Sequence, residues 1–331
     1  MEKRMKKNLN RRDFIKDGTV ALGTIAVCSQ LGGGIAVGDE MPPSKVFFTK
    51  DISAESLVKM YSAVSSQRKL TGKIAVKLHS GEPGGHHFPD PMIIKDLVHS
   101  VDGTIVECNT AYAGKRFETE MHKQALKDHG FAAIAPVDVM DENGSISLPV
   151  SAGRNLTENF VGANFSNYDS FLILSHFKGH MMGGYGGALK NMSIGIASSE
   201  GKMWIHTAGL TKSLDDFSVC FSTEQDRFLE SMAESAGSVI DSLKGNLVYI
   251  NLMNNLSVDC DCDSNPAPPK MKDIGILASV DPVALDKACI DLVYSADKEE
   301  SADLRERIES KNGTHTIDHA ERLGMGSQKY E

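Results

Sequence analysis

Ser170-Phe171-Leu172-Ile173-Leu174-Ser175 runs directly into His176-Phe177-Lys178-Gly179-His180. Four apolar residues in succession, with no polar alternation, read as a strand covered on both faces, the kind found in parallel sheets flanked by helices. Short β-branched runs of similar character recur at residues 73–78, 104–108, 132–137, 246–252 and 273–278. Between them lie amphipathic segments at 54–65, 91–101, 117–129, 224–243, 282–294 and 301–310 that read as helices. The 282–294 segment is the best punctuated, because Asp281 can accept hydrogen bonds from the first amides while Pro282 takes the first helical position without losing one. This alternation predicts an α/β fold with a mostly parallel mixed sheet flanked by helices. Residues 39–331 are expected to form a single domain, with 39–165 and 166–331 as two lobes that could share one sheet.

A chain of 331 residues with 41% hydrophobic and 24% charged residues supports a real core and excludes disorder or a fibre. Its net charge of −9 is unevenly spread: residues 1–18 carry seven Lys/Arg against three Asp/Glu, a charge of +4, which leaves −13 on the rest. An acidic body of that kind lacks the basic footprint that nucleic acid requires. Within the basic start, Asn10-Arg11-Arg12-Asp13-Phe14-Ile15-Lys16 is followed by an apolar stretch from Thr19 to Cys28 and then by Gly32-Gly33-Gly34. That order of regions resembles a twin-arginine leader. The apolar stretch falls short of the roughly 20 residues that a spanning helix needs, so no permanent membrane span is expected. Ile25-Ala26-Val27-Cys28 approaches a lipoprotein box, but bulky Val27 argues against lipidation of Cys28. Residues 1–38 are therefore expected to be export signal and linker, with the mature start between 31 and 40. The protein is expected to be periplasmic or otherwise extracytoplasmic, with the export machinery as a partner. Cys108, Cys220, Cys260, Cys262 and Cys289 then remain, an odd number at irregular spacing that is no disulfide framework.

After the strand at 170–175 the chain carries glycines at 179, 183, 184, 186, 187, 195 and 201. This density predicts a loop built for close approach. Ligands in open α/β sheets gather beyond the carboxyl ends of strands, which favours this position for a site. Lys178, Lys190 and Lys202 supply positive charge, and with Gly186, Gly187 and Asn191 they are candidates to bind an anionic ligand or cofactor. His176, His180, His206 and Lys190 are the catalytic candidates. The bland alternative is a glycine-rich turn with solvated lysines. Neither a P-loop nor a dinucleotide fingerprint is present. Further on, Asp259-Cys260-Asp261-Cys262-Asp263, if extended, puts both sulfurs on one face with α-carbons roughly 6.7 Å apart. Cys260 and Cys262 with His176 and His180 could complete a metal site for iron or zinc. A local disulfide or two unpaired thiols are the alternatives, and the flanking carboxylates disfavour a reactive thiolate. In the first half, His79, the Glu82-to-His87 run, Tyr112, Lys115, Arg116 and His122 follow strand candidates on the same expected rim. Arg116 could hold an anion or pair with Glu118 or Glu120. Cys108, Cys289 and the Met181-Met182 pair read as packing.

These residues resemble the family catalogued as domain of unknown function 362. The resemblance lies in Ser175 to Asn191, in Gly201, Lys202 and His206, in Gly81-Glu82-Pro83-Gly84, in Tyr112, Gly114 and Arg116, in the Asp-Cys-Asp-Cys stretch, and in Ala278 to Asp286. Most of residues 70–295 are covered. It implies a shared core and association with a metal or cluster. Many members are similar to iron–sulfur proteins through a ferredoxin-like insert, but residues 207–224 here hold one cysteine, Cys220, so a ferredoxin-type four-cysteine cluster is not supported. The expected function is an exported metal- or cluster-associated protein with a redox role and a redox partner. The alternatives are an enzyme acting on a small anionic substrate and a non-catalytic anion-binding protein.

Overall fold

A computed structural model describes residues 42–331, which form one compact unit. The expected export segment, with Cys28, lies outside the described residues. The strands are β1 (Phe47–Thr49), β2 (Ile74–Lys77), β3 (Thr104–Glu107), β4 (Val137–Val139), β5 (Ser145–Pro149), β6 (Glu158–Gly162), β7 (Ser170–His176), β8 (Lys178–His180), β9 (Gly184–Gly186), β10 (Leu247–Met253) and β11 (Gly275–Ser279). The helices are α1 (Ala54–Ser65), α2 (Pro91–Ser100), α3 (Thr119–Asp128), α4 (Phe131–Ile134), α5 (Ala188–Ser193), α6 (Ser199–His206), α7 (Gln225–Ser242), α8 (Pro282–Ser295), α9 (Ala302–Ser310) and α10 (His315–Arg322).

Seven strands form one sheet in the order β1-β11-β10-β7-β2-β3-β4. Pairing is parallel from β10 through β7, β2 and β3 to β4, while β11 runs antiparallel to both β10 and β1. The fold is thus α/β with a mostly parallel mixed sheet, and strands from both halves of the chain interleave in it. Period-two alternation sorts each strand between two cores. Phe171 and Ile173 of β7 join Leu189 and Met192 of α5, Val239 of α7 and Leu285 of α8 on one face. Leu172 and Leu174 join Leu57 and Val64 of α1 and Leu97 and Val98 of α2 on the other. Helices cover both faces, which is why these strands are apolar throughout.

From β2 the chain steps outward through β3 to β4, and from β7 it steps the opposite way to β10. The crevice between the carboxyl ends of β2 and β7 is therefore the topological switch point, where open α/β sheets bind ligands. Asp281 caps α8 as expected, its Oδ1 accepting from the amides of Val283 and Ala284 at 2.8 and 3.0 Å.

The segment at 132–137 departs from the strand expectation. Phe131 and Ile134 are buried while Ala132 and Ala133 are exposed, which is helical spacing, so α4 forms there and the strand is deferred past Pro136 to Val137–Val139. The segment at 175–201 is also more regular than a loop: β8 and β9 pair as an antiparallel hairpin, and α5 and α6 follow. Before β1, Ser44 exchanges backbone hydrogen bonds with Lys329 and Glu331. No described helix is long and apolar enough to cross a membrane.

Candidate metal centre

A cavity of about 860 Å³ opens at the switch point. Its walls come from the ends of β2, β3 and β7, the β8–β9 hairpin, α5 and α6, and the turn at residues 259–264. The turn reaches the hairpin because Gly179 has no side chain: a β-carbon there would stand 2.1 Å from the Val258 carbonyl oxygen. The Gly179 amide instead donates to the Ser257 carbonyl at 2.8 Å, and this clamp sets Cys260 beside His180.

One ligand atom each from His180, Cys260 and Cys262 lie within 4.8 Å of one another, and this group can hold a metal ion. His180 and Cys260 are buried and Cys262 partly so. The stretch is not extended: Asp263 donates its amide to the Cys260 carbonyl at 2.9 Å, closing a turn that swings both sulfurs to the same side. The Cys262 thiol donates to the Cys260 sulfur, and Lys178 adds its field. Together they hold Cys260 well below the usual thiol range, and the bond raises Cys262. A thiolate is therefore favoured at Cys260 despite its burial. The His180 Nδ1 accepts from the amides of Gly183 and Met182 at 2.9 and 3.2 Å, so in the metal-free protein the ring proton sits on Nε2 towards the sulfurs, and a metal bound at Nε2 would require that proton to move to Nδ1. Burial, reinforced by Lys190, lowers the His180 pKa to about 4 and keeps the ring neutral. Two soft sulfurs and a neutral imidazole are a donor set suited to zinc or iron.

His176 stands apart from this group, contrary to its candidacy as a ligand. Its Nδ1 lies 2.8 Å from Asp261 Oδ2 and its Nε2 2.6 Å from the Asn254 carbonyl oxygen. Both ring nitrogens are thus engaged within the protein, and neither is among the atoms gathered with the sulfurs. Lys178, expected to meet a ligand, donates to the same Asp261 carboxylate at 2.5 Å. Asp261 thus faces away from the sulfurs that flank it and ties the turn to β7.

Asn191 is similarly committed, donating to Lys77 O, Leu174 O and Ser175 Oγ, and it fixes α5 to the ends of β2 and β7. Gly186 and Gly187 line the cavity. A β-carbon on Gly187 would meet Asp286 Oδ1 at 2.4 Å. That carboxylate accepts from the amides of Ala188 and Leu189 at 2.8 and 3.0 Å, so the start of α5 is already occupied. Arg116 pairs with Glu82 at 2.9 Å rather than with Glu118 or Glu120.

Sequence reading missed the buried pair Lys77–Glu107, 2.9 Å apart at the ends of β2 and β3. Its signal was available: Ile-Ala-Val-Lys and Thr-Ile-Val-Glu each close an apolar strand with a charge on the ligand-facing rim. Also missed was an apolar part of the cavity wall, where Cys220 Sγ and Met203 Sδ lie 3.7 Å apart beside Met182 and Phe217.

The family model for a domain of unknown function, DUF362, matches residues 74–291, well over half of the chain. The chain belongs to the DUF362 family. No curated protein matches this DUF362 chain. Among solved structures, the lactate racemase apoprotein from Thermoanaerobacterium thermosaccharolyticum gives a TM-score of 0.43 at 13% identity, covering 77% of this chain and 59% of that one. A Thermotoga maritima protein gives 0.42 at 12% identity, covering 74% and 60%. The DUF362 chain spans less than two thirds of either.

Proposed function

We propose that this DUF362 protein is an exported metal-binding protein that holds iron or zinc through Cys260, Cys262 and His180 and admits a small anionic ligand to the adjoining cavity. The observation that carries this reading is the approach of the three ligand atoms from two segments some eighty residues apart in sequence. Three protein ligands leave a coordination position free on the cavity side. When bound, iron supplies a redox couple and zinc a Lewis acid. Around it, the protein's own groups have separate tasks: Lys178 and Asp261 hold the turn, Cys262 stabilises the Cys260 thiolate, and the hairpin amides orient His180. Export rests on the order of regions in residues 1–38, and a redox partner follows if the metal is iron.

The test is metal analysis of the full chain purified without chelators under anaerobic conditions. About one metal per chain is expected, falling by at least tenfold in Cys260→Ser/Cys262→Ser and His180→Ala while His176→Gln retains it. Absence of metal from the unaltered protein, or its retention in the double serine variant, contradicts the reading. A brown, visible-absorbing protein identifies iron and the redox role; a colourless one identifies zinc.

A further inference from the structure

Six cationic side chains line the cavity walls; Lys115 is exposed, and of the other five three are matched by carboxylates: Lys77 by Glu107, Arg116 by Glu82 and Lys178 by Asp261. Lys190 and Lys202 are not. Among the described residues no hydrogen bond or ion pair holds the Lys190 ammonium, and Lys202 spends one proton on the Ala197 carbonyl at 2.6 Å and no other. Asp259 and Asp263 also line the cavity, but Asp259 pairs with Arg307 at 3.6 Å and Asp263 is exposed, so the buried wall sets two unmatched lysines against one thiolate. Burial disfavours both ammonium groups and lowers them from their ordinary values, a cost that an anion placed beside them would offset.

The histidines of the cavity are not equivalent, because the backbone fixes their tautomers. His79 Nδ1 accepts from the Gly81 amide at 3.1 Å and His180 Nδ1 from two hairpin amides, so both rings carry their proton on Nε2. His206 is the reverse. Its Nδ1 lies 2.7 Å from the Lys202 carbonyl oxygen, which can only accept, so Nδ1 bears the proton and Nε2 keeps a lone pair. Its ring stacks on Phe228 at 4.8 Å, which fixes its plane. Lys202 and His206 are four residues apart on α6 and so share one face of it. Burial, with Lys190, His180 and Lys202 nearby, lowers His206 to about 3, so the ring stays neutral and Nε2 meets a ligand as an acceptor. Beside this polar corner stand Met203, Met182, Cys220 and Phe217.

We propose that the cavity is selective for an organic anion with an apolar body and a proton-donating group such as a hydroxyl, its charge on Lys190 and Lys202 and its donor hydrogen-bonded to His206 Nε2. This deepens the ligand-binding half of the proposed function, and its test is read separately from metal content. An acceptor fixed in the cavity wall discriminates, because a ligand that fills the site without the donor leaves it unpaired.

The probes are 3-hydroxybenzoate, its methyl ether 3-methoxybenzoate, and benzoate, titrated calorimetrically into the full chain with metal content monitored. 3-Hydroxybenzoate is expected to bind about tenfold more tightly than either of the others. That preference should vanish in His206→Phe, whereas Lys190→Gln should weaken all three carboxylates by a similar factor and keep the preference. The imidazole ¹⁵N signal of His206 Nε2 should move on adding the hydroxylated probe and stay put on adding the ether. Equal binding of the phenol and its ether, a preference that survives His206→Phe, or no binding of any probe at millimolar concentration overturns the proposal. Each of these outcomes is independent of whether Cys260 and Cys262 retain metal.

Discussion

His176 Nδ1 lies 2.8 Å from the Asp261 carboxylate, and this bond turns Asp261 into the core while its neighbours Cys260 and Cys262 face the cavity. The carboxylate also receives Lys178 at 2.5 Å. Burial alone would raise the Asp261 pKa, but His176 and Lys178 outweigh it and hold the carboxyl well below the usual range. The network is thus an anchor for the candidate metal-binding turn, built from three residues outside the group of His180, Cys260 and Cys262.

Asp261→Asn keeps the shape of the side chain but leaves the buried Lys178 ammonium without its carboxylate. Removing one member of a buried ion pair costs about 3–5 kcal/mol, and chemical denaturation at neutral pH should show a loss in that range. A loss under about 1 kcal/mol would mean that the carboxylate is not the anchor described.

The clamp at Gly179 ties geometry to metal affinity. Gly179→Ala places a methyl group against the Val258 carbonyl, and overpacking of this kind costs about 1–3 kcal/mol. The expected signature is a folded protein whose metal content drops sharply because the turn no longer seats beside His180. Full metal occupancy in a folded Gly179→Ala variant would disconnect the clamp from the centre.

Lys77 and Glu107 make a prediction in pH. Burial raises the Glu107 carboxyl, but Lys77 and then His122, Arg116 and the Ser80 amide overcome it, leaving the pKa at about 2 against an ordinary 4.5. Because the folded value is depressed, the contribution to stability is complete above about pH 4.5 and is lost as pH falls towards 2. The difference corresponds to about 3 kcal/mol. Glu107→Gln should therefore be less stable than the unaltered protein at pH 6, with the gap closing steadily by pH 2 in urea titrations. A gap that does not change with pH contradicts the assignment.

Much of this architecture could be read without coordinates, and the reasons differ by element. The run Phe171 to Leu174 announces a central strand because burial on both faces leaves no room for polar alternation, and Asp281-Pro282 announces a helix start because the capping chemistry is local. Residues 132–137 misled because Ala132 and Ala133 suit either structure, and only the Phe131–Ile134 spacing favours a helix. At the site, His180 and the two cysteines were legible as metal-binding types. His176 was of the same type yet serves elsewhere, since its role depends on Asp261 and Asn254, which the fold brings from some eighty residues away. Lys77 and Glu107 meet only through the parallel register that sets Lys77 opposite Val106, a relationship between strands that neither strand states.

The cysteines differ in how they are placed, and alkylation should report it. Cys260 and Cys262 line the cavity with Cys260 favoured as thiolate, whereas Cys108, which also borders the cavity, is raised by burial and donates to the Ile196 carbonyl, and Cys289 is packed in the main core. In metal-free protein under native conditions, iodoacetamide should label Cys262 and Cys260 and spare Cys108 and Cys289, and reloading with metal should protect the reactive pair. Labelling of Cys108 or Cys289 before unfolding would contradict this placement.

The most direct measurement is the X-ray absorption spectrum at the edge of the metal bound to the full chain. The account requires two sulfur neighbours at about 2.3 Å and at least one imidazole nitrogen at about 2.0–2.1 Å, with the nitrogen signal lost in His180→Ala and kept in His176→Gln. A shell made only of oxygen and nitrogen, or an imidazole signal that disappears with His176 instead, would contradict it.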